Sequence, residues 1–152
     1  MDITYVPVGS GYMYLVAIID LYSRYIIGWS LSNTMTSEWV KTCMITAILV
    51  HGKPEIINTD QGSQFTSLVF ANFVTEDQDI KLSMDGKGRA IDNIFIERFW
   101  RNIKHEKIYL EPSEDGIELY GKIKEYVEFY NTRRPHQSLG YEKPVRIYGQ
   151  AA

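Results

Sequence analysis

Glu97, Arg101 and Lys104 stand four and three residues apart in the stretch Ala90 to Lys107, AIDNIFIERFWRNIKHEK. Turned at about 100° per residue, they share one helix stripe roughly 60° wide, with Phe95, Ile96, Phe99 and Ile103 on roughly the opposite side. One carboxylate with two cations beyond it suits a group that holds a metal ion while its neighbours grip a polyanion. It also reads as an amphipathic surface helix with one Glu–Arg pair, worth a few tenths of a kcal/mol. Two more acids stand where chemistry would place them: Asp2 on the first strand and Asp60 at the end of a later one. Strand ends in an open α/β sheet are where sites collect. Carboxylates without a Cys or His framework suit Mg²⁺ or Mn²⁺, which prefer oxygen ligands and keep waters that substrate phosphate can displace. Two such ions about 4 Å apart activate an attacking oxygen and stabilise a leaving one. Singly, Asp2 also reads as a solvated terminus, Asp60 as a turn or cap residue and Glu97 as a surface charge. Asp20 rivals Asp2, but the turn Asp20-Leu-Tyr-Ser-Arg24 favours a structural role in which its carboxylate meets Arg24. Asp92 and Asn93 read as helix N-caps.

The elements that must position these residues begin with three strands, at residues 2–8, 12–20 and 25–31, joined by short turns into an antiparallel meander. The second, YMYLVAIID, is so continuously apolar that it should be central and covered on both faces. Thr36 or Ser37 caps a helix to about Val50, with Val40, Met44, Ala47 and Ile48 on one face. A short strand at 55–59, a loop at 61–64, a helix over 68–75 and a last short strand at 80–83 follow. A two-glycine loop, 85–88, then precedes the Glu97 helix. Pro112 and Ser113 open a further helix, with Glu114 and Asp115 in its first turn and Leu119, Ile123, Tyr126, Val127 and Tyr130 on its buried face. That helix must stop before Pro135, and the tail reads as loop. The expected fold is α/β and ribonuclease-H-like: a five-stranded mixed sheet, an antiparallel meander plus two short parallel strands, with helices on both faces. A flavodoxin-like layout is compatible with the same pattern.

The 152 residues read as one domain, 1–152, with a core from Asp2 to Lys107, a helix over 112–134 and a tail over 135–152. No apolar run approaches a membrane span, and no basic-then-apolar signal segment opens the chain. The single cysteine, Cys43, reads as a small buried residue in a reducing, cytoplasmic setting. Net charge is −3, which by itself argues against nucleic acid as a partner. Distribution outweighs the sum, because Lys87, Arg89, Arg98, Arg101, Lys104 and Lys107 face only Asp92, Glu97 and Glu106 around the Glu97 helix.

DITY at 2–5, DLYSR at 20–24, NTDQGSQF at 58–65, DGKGRAIDNIFIERFW at 85–100 and RRPHQSLGY at 133–141 together resemble the catalytic core of bacterial insertion-sequence transposases. That family is similar to retroviral integrases and belongs to the DDE group. The resemblance covers nearly the whole chain in the family's order and lays the three catalytic, metal-holding acids on Asp2, Asp60 and Glu97. It implies a two-metal Mg²⁺ or Mn²⁺ site, cleavage at a transposon end, and attack of the exposed 3′-hydroxyl on target DNA, with a homo-oligomer assembled on that DNA in a bacterial cytoplasm. Thirty-six residues separate Asp60 from Glu97, one more than the family's usual spacing. The family's N-terminal helix-turn-helix region is absent from the sequence, so an excised or truncated core with a frayed Asp2 is expected.

Arg101 and Lys104 point where a DNA strand entering the metal site would run, and each phosphate neutralised adds about one unit to the salt slope. Lys87 and Arg89 would order on DNA. Gln61, Ser63 and Gln64 would bond nucleotide or orient Asp60. Arg133 or Arg134 is expected to pair with Glu106 and pin the last helix to the catalytic one, with His136 a structural hydrogen-bonder. Two rivals remain open: a catalytically silent core that only binds DNA or protein, and a covalent tyrosine recombinase using Arg133, Arg134, His136 and a tyrosine.

Overall fold

A computed structural model describes residues 1–84 and 93–151. Lys87, Arg89 and Asp92 therefore lie outside the described residues.

The meander forms as its composition demands. β1 (Asp2–Val8) pairs antiparallel with β2 (Gly11–Ile19), Asp2 opposite Ala17 and Val8 opposite Gly11. β2 pairs antiparallel with β3 (Ile26–Ser32), Ala17 opposite Trp29, with a register shift between Ile18 and Ile19. The unbroken apolar run of β2 has the expected cause: both of its faces are covered. Leu15, Ala17 and Ile19 enter a core with Ile96, Phe99 and Ile103, whereas Val16 and Ile18 enter another with Val40, Met44 and Phe70. Alternating side chains of one strand thus serve two cores.

Helix α1 (Ser37–His51) supplies the second core with Val40, Cys43, Met44 and Ala47; the Thr36 hydroxyl caps it by accepting from the Trp39 amide at 3.2 Å. It crosses β3 closely enough that a Cβ on Gly28 would stand 3.1 Å from the Ala47 Cβ. Cys43 is buried, and burial pushes its thiol up to about 12, so it is an inert core residue.

β4 (Ile56–Thr59) and β5 (Lys81–Met84) run parallel, linked by a short turn of helix α2 (Ser63–Thr66), α3 (Leu68–Asn72) and a wide π-type turn at Phe73–Asp77. The five expected strands are therefore present among the described residues, divided between a three-stranded antiparallel ladder and a two-stranded parallel one. The main-chain nitrogen of Met1, donating to the Asn58 carbonyl at 2.7 Å, ties the start of β1 to β4.

α4 (Ile94–Ile103) continues through a wide turn at Lys104–Ile108, and α5 (Gly116–Thr132) packs across it. Two expectations shift here. α5 begins after the Asp115 cap, whose carboxylate accepts from the Ile117 and Glu118 amides at 2.9 Å each, so Glu118 rather than Glu114 or Asp115 occupies the first turn. The tail is not all loop: Gln137–Leu139 form a 3₁₀ turn, and Pro144 opens helix α6 (Pro144–Ala151).

α5 is held to the sheet by Asn131, which no sequence pattern singled out. Its buried amide accepts from the Ile26 N–H at 2.8 Å and donates to the Ile26 carbonyl at 3.0 Å, completing the main chain where β3 begins.

Candidate active site at the start of β1

α4 lies along β1, and two contacts fix their register. The Trp100 indole nitrogen donates to Asp2 Oδ2 at 2.8 Å, and Lys104 Nζ donates to Thr4 Oγ1 at 2.7 Å. Four residues advance a helix by about 6 Å and two advance a strand by about 6.6 Å, so the pairs match in pitch. Asp2 is therefore anchored, and the expected fraying at this position does not occur.

Asp60 follows β4 and is oriented by the Gly62 amide, which donates to its Oδ1 at 2.9 Å. A Cβ at this position would press on the Gln64 side-chain amide and stand 2.9 Å from Asp60 Oδ1, so a larger residue would displace both side chains. The Gly62 main chain thus contacts this carboxylate directly. Ser63 Oγ instead donates to Gln64 Oε1 at 3.4 Å, and the Gln64 side chain is buried.

Asp2 and Asp60 feel each other. Burial raises the Asp2 pKa above its ordinary value, the Trp100 and Ile3 hydrogen bonds pull it down, and the Asp60 charge pushes it up again. Lys104 is shifted down by burial and partly restored by the field of Asp2, so this expected phosphate-binding cation rests on β1 with its charge directed to the acid end. Arg101 is exposed.

Glu97 is exposed on α4, one turn before Trp100. Among the described residues no three His, Cys, Asp or Glu side chains form a group able to hold a metal ion, so the structure pairs Asp2 with Asp60 without gathering Glu97 to them. The donor set itself fits a hard cation: two carboxylates, oxygen only, half-buried, each held at one oxygen by an N–H donor. Trp100, Thr4 and Gly62 were not singled out in the sequence. The signal for Trp100 was there, since a buried indole N–H normally finds a polar partner and Asp2 was already suspect.

The supporting residues resolve as follows. The Asp20 carboxylate accepts from the Ser23 amide at 2.7 Å and the Ser23 hydroxyl at 2.5 Å, so it closes its own turn, while its charge acts on Arg24. Arg24, at φ 65°, stacks its guanidinium 3.4 Å from the Phe95 ring centroid. Asn93 precedes α4 without a side-chain cap; its carbonyl accepts from the Glu97 amide at 3.0 Å instead. Of the two candidate arginines, Arg134 pairs with Glu106, in a two-point contact of 2.6 and 3.0 Å that Tyr126 completes at 2.7 Å. Arg133 lies 6.0 Å from the Phe129 ring. His136 is buried, edge-on to Tyr130 at 4.6 Å, its pKa lowered by burial and by Arg134.

Known proteins are similar to this chain in sequence and in fold. An integrase core domain family matches residues 1–90, and a second integrase core domain family matches residues 78–144. The transposase for insertion sequence element IS904 of Lactococcus lactis is 38% identical over 146 residues, covering 94% of this chain and 57% of that protein. The putative transposase InsK for IS150 of Escherichia coli is 32% identical over 152 residues, covering 98% of this chain and 53% of its own length. The chain thus spans about half the length of these curated relatives. Among solved structures, the HTLV-2 integrase catalytic core domain in complex with magnesium superposes with TM-score 0.67 at 22% identity, covering 97% of this chain and 92% of the other. The BIV integrase catalytic core domain gives TM-score 0.72 at 13% identity, covering 99% and 93%. These two likenesses establish the fold, that of integrase catalytic cores.

Proposed function

The chain belongs to the integrase core family, and from that premise we propose that it is the catalytic core of an insertion-sequence transposase, a polynucleotidyl transferase that cuts and joins DNA. The observation that carries the reading is the Asp2–Asp60 pair: two like charges at neighbouring strand ends, each held by an N–H donor and neither joined in a salt bridge among the described residues. Such a pair is stabilised by a divalent cation supplied from outside. Mg²⁺ or Mn²⁺ held by Asp2 and Asp60, with Glu97 as the third ligand, would sharpen an attacking oxygen and ease departure of the leaving one.

The chain's own residues do the remaining work. Trp100 fixes one oxygen of Asp2 and leaves the other to act as a ligand. Gly62 does the same for Asp60. Glu97, exposed on the turn of α4 before Trp100, is the side chain that must approach the pair. Arg101 and Lys104 continue that helix face and take up DNA phosphates, so the scissile strand lies along α4. The first reaction is hydrolysis at a transposon end, leaving a 3′-hydroxyl; the second is attack of that hydroxyl on a target phosphodiester. No covalent protein–DNA intermediate is required. The whole domain, 1–152, acts in a homo-oligomer assembled on DNA, in the bacterial cytoplasm. The described residues include no helix long and apolar enough to cross a membrane.

Asp60→Asn is the direct test. Loss of Mg²⁺- or Mn²⁺-dependent cleavage of end-sequence DNA with an unchanged circular dichroism spectrum is expected, and retained cleavage rejects the assignment. One observation favours a second reading, a silent core that only binds DNA or protein: Glu97 is not gathered with the acid pair. Under that reading the unaltered protein binds DNA with a salt-dependent affinity but cleaves nothing when Mn²⁺ is added.

A further inference from the structure

Two contacts grip α4 from different flanks. On one flank Trp100 donates to Asp2. On the other, the guanidinium carbon of Arg24 stands 3.4 Å from the centre of the Phe95 ring. Phe95 and Trp100 are five residues apart, which sets the two contacts about 140° apart around the helix and about 7.5 Å apart along it. Either alone would let α4 roll about the contact; together they fix its rotation. Rotation decides where Glu97 points. A roll of about 20° carries a carboxylate about 6 Å from the axis through about 2 Å, a whole Mg–O bond length.

The first turn of α4 has little else to hold it. No side chain caps it among the described residues, and of residues 94–97 only Ile96 is buried. Arg24, by contrast, is firmly placed. It stands at φ 65°, in the left-handed region that a non-glycine residue keeps only where its surroundings hold it. Its amide donates to the Asp20 carbonyl at 2.8 Å, and the Asp20 amide donates to the Tyr25 carbonyl at 2.8 Å. The fully buried Ser23 closes the same turn through its hydroxyl. Nε and Nη1 of Arg24 are buried and make no hydrogen bond among the described residues, so the Phe95 ring is what the cation meets there. A desolvated cation over a ring is the stronger form of this contact.

We propose that Arg24 is a positioning residue: by holding Phe95 it fixes the first turn of α4 in the rotation from which Glu97 approaches the Asp2–Asp60 pair, a role that rests on Glu97 being the third ligand of the metal site. Trp100 sets where along β1 the helix lies, and Arg24 sets which way its first turn faces.

Arg24→Gln and Phe95→Leu remove the contact from either side, and Phe95→Tyr keeps a ring as the rescue. Amide exchange is read at Glu97, whose N–H closes the first turn on the Asn93 carbonyl, and at Ile103, at the far end of α4. Both disruptive variants should speed exchange at Glu97 about tenfold or more relative to Ile103, and the double variant should add nothing to either single one. In Mn²⁺-dependent cleavage of end-sequence DNA, the same two variants should lower kcat about tenfold or more with KM for DNA unchanged. They should also need more Mn²⁺ for half-maximal rate, while Phe95→Tyr stays near the unaltered protein. Unchanged exchange at Glu97, or an increase matched at Ile103, overturns the clamp. So does an unchanged kcat in Arg24→Gln and Phe95→Leu when Glu97→Gln is inactive. If the unaltered protein cleaves nothing, or Glu97→Gln cleaves as well as it does, the reading of Glu97 as a ligand fails instead, and the exchange ratio alone decides whether Arg24 holds the turn.

Discussion

Asp2, met by Trp100 of α4, and Glu106, in the wide turn that continues α4, are treated by the protein in opposite ways. Glu106 is satisfied from within: burial pushes its pKa up, but hydrogen bonds from Arg134 and Tyr126 outweigh this and hold it below the usual carboxylate range. Asp2 is held by the Trp100 indole and makes no salt bridge among the described residues, and burial, with Asp60 adding to it, keeps its pKa raised. A carboxylate neutralised by its own chain fastens the fold. One that is positioned but not neutralised is ready for a cation from solution.

The contrast is sharpest if the fastening of the fold can be broken without touching the acids. Asn131→Ala removes both bonds to Ile26 and leaves a buried N–H and C=O without partners. A loss of about 3 kcal/mol in urea unfolding is expected, with the residual folded protein keeping its DNA affinity.

Arg134→Ala acts on Glu106 directly and should cost about 1–2 kcal/mol, because the pair is partly exposed. Its pH signature is specific. A lowered carboxylate pKa contributes stability above the unfolded value, near the ordinary 4.5, and loses it as pH falls through the folded pKa. The variant should therefore show a flatter acid limb of stability below pH 4.5 than the unaltered protein. An unchanged acid limb would mean that Glu106 is not the fastening charge.

At the acid pair, Trp100→Phe removes the hydrogen bond that pulls Asp2 down, so the Asp2 pKa should rise further, as read by carboxyl-carbon NMR titration. The stability change should be about 2 kcal/mol, from the lost hydrogen bond and the space the smaller ring leaves in the core. A raised carboxylate pKa works against folding at neutral pH, and that penalty disappears as pH falls through the folded pKa. Trp100→Phe and Arg134→Ala should thus move the acid limb of stability in distinguishable ways, one by deepening a penalty and the other by deleting a gain.

Much of this was legible in the chain. The three meander strands lie within one residue of their expected bounds, because alternation, β-branched composition and short turns act locally. Helix α1 could be read from Thr36 at one end and Gly52 at the other. α6 was missed because it is eight residues long, and so short a helix is stabilised by packing more than by its own periodicity. The turn of helix α2 after Gly62 was missed for the same reason. The Asp20 turn was legible as a turn, but the Ser23 hydrogen bonds that close it were not, while the Asp20 charge still acts on Arg24.

What the sequence determined alone was the kinship, the order of strands and helices, the doubly covered β2, and the three acids as candidates. Residue type and spacing are local quantities, and each of these follows from them. Only the tertiary structure decided that Trp100 and Gly62 aim the two aspartates, that Arg134 rather than Arg133 meets Glu106, and that Asn131 sutures α5 to β3. Those choices join residues as far as 105 apart. Which of two neighbouring side chains reaches a distant partner depends on helix rotation and strand register, and both are set by how the cores pack.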